Sequence, residues 1–197
     1  MQSGVRTIAD LAISSAAAPS RVVREILLVL VGTALVAACA QIQVQRQPVP
    51  LTMQTFAVLV IGATYGSRRG AATLLTYLAE GAAGLPVFAG LGAGAIRLVG
   101  PTAGYLWAFP VAAFVVGYLV ERGWDRRVWT SLLALLAGDC LILLCGFAWL
   151  AIATGMGHRA AWIAGVAPFL VFNALKIGLT ATALPLGRRM IDRFNSR

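Results

Sequence analysis

Lys176 stands near the middle of "WIAGVAPFLVFNALKIGLTATALPL", residues 162–186, a run of 25 residues in which the other side chains are almost all apolar. Asn173 precedes it by three residues, so both lie on one face of a helix. An ammonium group at bilayer depth costs about 3 kcal/mol even on the mildest insertion scale, so the chain must supply a partner or use the charge. Asp139 is a second intramembrane ionisable group. It lies ten residues beyond Trp129 in the preceding apolar run, as Lys176 lies ten residues before Leu186 in its own. In antiparallel helices rising 1.5 Å per residue both groups fall about 15 Å from the same end and can meet. Two kinds of chemistry suit such a pair. Asp139 and Lys176 can neutralise each other as internal glue, or Lys176 can donate to an anionic solute while Asp139 or Asn173 bonds polar groups of the same molecule.

A second cluster of interest is the segment "GLPVFAGLGAGAIRLVGPTAGY", residues 84–105, with glycines at 84, 90, 92, 94, 100 and 104 and prolines at 86 and 101. No continuous helix accommodates that pattern, and its length favours a binding loop or lid over a plain linker. Its "GLGAG" lacks the strand and helix of a dinucleotide-binding unit and carries no phosphate-site reading. A third is the small-x-x-x-small pair Ala34 and Ala38, which lets another helix approach the backbone closely.

The elements that must position these residues are membrane spans. Hydrophobic residues make up 59% of the 197-residue chain and charged residues 12%, about half the charged fraction of ordinary soluble domains. Six apolar runs are divided by charges or by Pro and Gly: 26–44, 51–66, 70–85, 103–120, 128–154 and 162–187. "GSRRG" between the second and third has to be a turn, because two arginines at bilayer depth are prohibitive. This gives an all-α, polytopic six-helix domain over residues 25–190, with tails at 1–24 and 191–197.

Twelve of the sixteen basic residues fall in the two tails and the even-numbered loops, Arg68, Arg69, Arg122, Arg126 and Arg127 among them; Arg46, Arg97 and Arg159 stand singly in the other loops. The positive-inside rule then places both termini in the cytoplasm and the glycine-rich segment outside. Arg21 and Arg24 followed by "ILLVLVGTALVAAC" have the look of a lipoprotein signal ending at Cys39, but the charged start lies too far from Met1, and the segment reads as the first span.

The net charge of +9 comes from cytoplasmic loop arginines and carries no nucleic-acid signature. Cys39, Cys140 and Cys145 sit in apolar runs without metal-site spacing, and His158 is a lone loop histidine, so neither a metal centre nor a cofactor is expected. The chain has no P-loop, no catalytic triad and no H-E-x-x-H, so it reads as a non-enzyme without its own ATPase.

Three strings carry a resemblance: "PVPLTMQTFAVLVIG" (48–62), "YLAEGAAGLPVFAG" (77–90) and "GPTAGYLWAFPVAAFVVG" (100–117). They resemble the hallmark segments of the BioY family, the biotin-specific substrate-binding (S) components of energy-coupling factor (ECF) transporters. The resemblance implies a six-helix fold in the bacterial cytoplasmic (inner) membrane. It further implies a biotin pocket near the outer face, closed by the loop between helices three and four, where Gly84, Pro86, Gly100 and Pro101 would gate it. Implied partners are membrane lipid, a transmembrane coupling protein that docks on Ala34 and Ala38, and two cytoplasmic ATPases. Biotin is then the transported ligand, its ureido ring bonded by Asn173 and Asp139, its apolar body against Tyr77, Tyr105 and Trp107, and its carboxylate paired with Lys176 or Arg97. Family sequences read close to "PFLPGDLLK" where this chain has "PFLVFNALK" (168–176), so the acid one turn before the lysine is here Asn173, and Asp139 can supply the charge. Glu80 also stands where the family has an apolar residue.

Overall fold

The computed structural model of the chain describes residues 20–44 and 48–195. Residues 1–19 of the expected tail, Arg46 and residues 196–197 lie outside the described residues. Ser20 starts the first helix as an N-cap, its side chain accepting from the Val23 amide. That helix, α1, runs Arg21–Gln41. A short antiparallel pair follows, β1 (Gln43–Val44) and β2 (Leu51–Thr52), with Gln43 opposite Thr52 and Val44 opposite Leu51. The all-α reading did not include this ribbon. Pro50 favours extended backbone at Val49, and Leu51 and Thr52 pair with β1 in place of opening the second apolar run as helix.

Next come α2 (Gln54–Tyr65) and α3 (Ser67–Ala82), separated by Gly66 alone. Gly66 has φ 84°, a left-handed value that a side chain would disfavour. The turn expected at "GSRRG" is therefore real but only one residue wide, and Arg68 and Arg69 belong to the first turn of α3. The chain continues through α4 (Ala103–Glu121), α5 (Val128–Thr154), α6 (His158–Gly165) and α7 (Ala167–Asn195).

Four helical stretches among the described residues are long and apolar enough to cross a membrane: α1, α4, α5 and the α6–α7 pair. The protein is a multi-pass membrane protein. All six apolar runs are helical, but α2 and α3, at 12 and 16 residues, fall short of the roughly 20 that span the hydrocarbon core. The last run differs in two ways. It is broken at Val166, because Pro168 has no N–H to give the Ala164 carbonyl four residues back and its ring would clash there. It also continues to Asn195, so most of the expected 191–197 tail is helix.

The hub of the bundle is α4, whose spanning window is 67% buried against 22% for α1. Between lipid-embedded helices the hydrophobic effect gives no net drive, so close packing of small residues does the work. Ala108, Ala112, Ala113 and Gly117 form such a face on α4, all of them buried. A Cβ on Gly117 would run into the backbone of Gly66 and Ser67. Because α1 is peripheral, it presents Leu27, Leu30, Val31 and Leu35 outward.

Polar ties hold one end of the bundle together. Arg69 pairs with Glu25 at 2.9 Å, the Ser67 amide and hydroxyl donate to Glu121, and Arg188 pairs with the fully buried Asp125. This end collects the arginines of the even-numbered loops. The cavity described next lies at the other end.

Candidate ligand cavity and the buried lysine

A cavity of about 810 Å³ opens among the β1–β2 ribbon, the first turns of α2, α4 and α7, and the segment between α3 and α4. Its volume is within the roughly 300–1,000 Å³ usual for small-molecule sites. One wall is aromatic: Tyr105 and Phe109 from α4, Phe169 from α7 and Phe88 from the loop. Tyr105 and Phe169 stack with centroids 6.0 Å apart and rings inclined by 22°, and the Tyr105 hydroxyl donates to the Gly165 carbonyl at 2.7 Å. That carbonyl is open to it because the helix breaks at Val166. Gly146 of α5 lies flat against the Tyr105 ring, where a Cβ would overlap the ring carbons. The local sequence thus fixes the aromatic wall twice, through a helix break and through an absent side chain.

The floor is polar, formed by Thr52, Gln54 and Thr55. Thr52 takes the place of an N-cap, its hydroxyl oxygen accepting from the Gln54 amide at 3.3 Å. Gln54 Nε2 donates to the Tyr77 hydroxyl at 2.9 Å, and that hydroxyl donates to the Val87 carbonyl, also at 2.9 Å. Tyr77 is fully buried and meets Phe88 edge-on at 5.5 Å between centroids.

Beneath the floor lies Lys176. Its Nζ donates to the Thr52 carbonyl at 2.8 Å, and to Thr55 Oγ1 and Asn173 Oδ1 at 3.4 Å each. An ammonium has three donors, and all three are used within the protein. Asn173 Nδ2 in turn donates to Asp139 Oδ1 at 2.6 Å. Asp139 and Lys176 therefore share one buried cluster, as the depth count anticipated, but Asn173 stands between them as a bridge. The amide suits this position because it offers an acceptor to the ammonium and a donor to the carboxylate. An acid at 173 would bring a second carboxylate against Asp139 with one ammonium to serve both.

The mouth is formed by the segment between α3 and α4. It folds as two 3₁₀ turns, Ala89–Leu91 and Ala95–Leu98, joined through glycines. Gly84, Gly90 and Gly94 have positive φ, and Leu91 adopts φ 54°. Gly94 N–H donates to the Gly81 carbonyl at 2.8 Å, and Trp149 Nε1 to the Gly100 carbonyl at 2.9 Å. Arg97 lies on this segment and lines the cavity, its guanidinium stacked beside Gly92. Arg97 makes no side-chain hydrogen bond or ion pair with the described residues, so its donors are uncommitted.

Of the seven residues assigned to the ligand from the sequence, Arg97 and Tyr105 line the cavity. Tyr77, Asp139, Asn173 and Lys176 form a layer behind its floor. Trp107 points elsewhere: it is half-exposed, with Nε1 donating to the Leu98 carbonyl at 3.0 Å. Two residues along a helix turn about 200°, so Trp107 and Tyr105 face opposite ways. Among the loop residues, Gly100 and Pro101 line the cavity, whereas Pro86 is exposed and Gly84 serves the turn out of α3. Gln43, Gln54 and Thr55 were not singled out from sequence; the last two sit inside "PVPLTMQTFAVLVIG" and could have been found there. Ala34 and Ala38 are both exposed on α1. Nothing in the structure explains Glu80.

A sequence profile, described as the BioY family, matches residues 9–193. The chain belongs to the BioY family. It is 41% identical to a probable biotin transporter BioY of Pyrococcus horikoshii, over 85% of this chain and 96% of that one. It is 36% identical to a biotin transporter BioY of Thermotoga maritima, over 86% of this chain and 99% of that one. The crystal structure of an S-component for biotin from an ECF-type ABC transporter has the same fold, with a TM-score of 0.78 over 88% of this chain and 95% of that one, at 22% identity. The BioY fold is thus the frame that brings the ribbon, the glycine-rich segment and three helix starts to one end.

Proposed function

We propose that this BioY protein captures biotin from outside the cytoplasmic membrane and delivers it inward as the substrate-binding S component of an ECF transporter. The observation that carries the reading is the cavity with an aromatic wall, a polar floor and an uncommitted guanidinium at its mouth, in a chain whose relatives are named biotin transporters. Biotin has the matching layout: a ureido ring that donates and accepts, an apolar ring and chain, and a carboxylate ionised at neutral pH.

In this reading the ureido ring meets the floor at Thr52, Gln54 and Thr55, the apolar body lies on Tyr105, Phe109 and Phe169, and the carboxylate pairs with Arg97. Lys176, whose donors are taken, holds the floor in shape with Asn173 and Asp139. Gly84, Pro86, Gly100 and Pro101 shape the loop over the mouth. The positive-inside rule puts the arginine-rich end in the cytoplasm and the cavity outside. The protein acts as a transport component rather than an enzyme, and the ligand is biotin itself with no cofactor. A transmembrane coupling protein with two cytoplasmic ATPases drives uptake, docking on the exposed Ala34–Ala38 stripe of α1.

Uptake of labelled biotin by cells lacking their own biotin transporter tests this directly. Expression of this chain together with coupling subunits is expected to confer saturable uptake that unlabelled biotin abolishes. Uptake no greater than in cells with an empty vector contradicts the proposal.

A further inference from the structure

Gln41, the last residue of α1, reaches across to the loop over the cavity. Its Nε2 donates to the Phe88 carbonyl at 3.1 Å as well as to the Ala37 carbonyl of its own helix at 3.1 Å. Its Oε1 accepts from the Leu91 amide at 3.0 Å. One side-chain amide therefore uses both ends on the loop tip, Phe88 to Gly92, as an added strand would. Inside the tip, Phe88 and Gly92 exchange backbone bonds at 3.0 and 3.2 Å, and the Leu91 between them holds φ 54°. The Phe88 carbonyl is shared between Gly92 N–H and Gln41, and Leu91 N–H is bonded by Gln41. Among the described residues, Gln41 is the one side chain hydrogen-bonded to residues 88–92.

The tip matters to the cavity because Phe88, Ala89 and Gly90 all line it. The two flanks of the loop are held independently, by Gly81 and Tyr77 on the α3 side and by Trp107 and Trp149 on the α4 side. Release of Gln41 therefore removes the side-chain hydrogen bonds that fasten the tip to α1, leaving the flanks and the buried Phe88 ring, packed on Tyr77 and Gly81, as the hinge about which residues 89–92 can move. Gln41 also follows Ala34 and Ala38 at i+7 and i+3, so all three occupy one stripe of α1. The helix that carries the exposed small residues also carries the catch.

We propose that Gln41 is the latch of the lid: a positioning residue that sets how fast ligand leaves the cavity by fixing Phe88 and Leu91 to the end of α1. The inference rests on the biotin reading of the cavity. Gln41 is not among the residues lining the cavity, and its bonds to the loop go to backbone atoms, so its effect is read in the rate of release.

Two measurements on the purified full chain in detergent, parent against Gln41→Leu, test it. Release of labelled biotin is expected to accelerate about tenfold, the loss of two hydrogen bonds. Backbone hydrogen exchange without ligand is expected to rise at Leu91 and Gly92 while residues 103–121 stay unchanged. Equal release rates in parent and variant overturn the latch, whether or not exchange rises, and so does equal exchange at the tip. If the parent itself binds no biotin, the biotin reading fails, and the exchange result alone then decides whether Gln41 fastens the tip.

Discussion

Replacing Arg97 by glutamine keeps a polar side chain on the loop and removes one charge from the cavity mouth. A hydrogen bond to a charged group contributes about 1.5–3 kcal/mol. Arg97 is exposed to solvent, which screens the pairing, so the lower figure applies. About 1.5 kcal/mol corresponds to roughly tenfold weaker binding of biotin. The sharper comparison uses biotinamide, which keeps the ureido ring and the apolar body but lacks the negative charge. Titration calorimetry in detergent is expected to show the parent protein preferring biotin over biotinamide by roughly tenfold, and Arg97→Gln binding the two about equally. The preference of the parent is expected to shrink as salt is raised, as it does for an exposed pair. The assignment is refuted if Arg97→Gln retains the full preference for the acid. It is refuted most clearly if Lys176→Met abolishes that preference instead, since the donors of Lys176 would then have to leave Thr52, Thr55 and Asn173 for the ligand.

Other consequences follow from the buried cluster and from α1. Asn173→Asp places two carboxylates against one ammonium and is expected to lower the thermal midpoint in detergent; adding Asp139→Asn restores the donor–acceptor order and most of the lost stability, whereas strictly additive losses contradict a bridged cluster. Lys176→Met leaves Asp139 and Asn173 in place without their cation and is expected to cost on the order of 3–5 kcal/mol, part of which Lys176→Met with Asp139→Asn recovers. Gly146→Ala drives a methyl group into the Tyr105 ring and is expected to weaken biotin binding severalfold by tilting the aromatic wall; unchanged affinity would remove that wall from the site. Ala34→Trp is expected to leave biotin binding by the purified protein intact and to abolish uptake in cells with coupling subunits, and loss of binding as well would mean the stripe packs internally.

The parts legible in the sequence were those set by long-range apolarity. The run 128–154 is α5 to the residue, and 103–120 misses the end of α4 by one, because uninterrupted apolar sequence leaves no other option. The break at Val166 was hidden inside an apolar run, where hydropathy is blind to the missing N–H of Pro168. The ribbon at Gln43–Val44 and Leu51–Thr52 was hidden by its length of two residues per strand. The cluster of Lys176 and Asp139 could be placed by counting residues from the helix ends, since both lie on regular helices. Its internal order could not, because whether an amide sits between two charges depends on a rotamer. Trp107 followed Tyr105 in a recognisable string, but only helix phase tells which of the two turns inward. Gln41 and Gln54 are neutral polar residues near span ends, where composition gives them no distinction, and both owe their roles to partners far along the chain, the loop tip at Phe88 and Leu91 for Gln41 and Tyr77 of α3 for Gln54.

Equilibrium binding of biotin to the purified protein in detergent tests the central claim most directly. Saturable binding at one biotin per chain, with submicromolar affinity and no competition from unrelated anionic vitamins, is the predicted result. Absent binding, or affinity no better than micromolar, would contradict it.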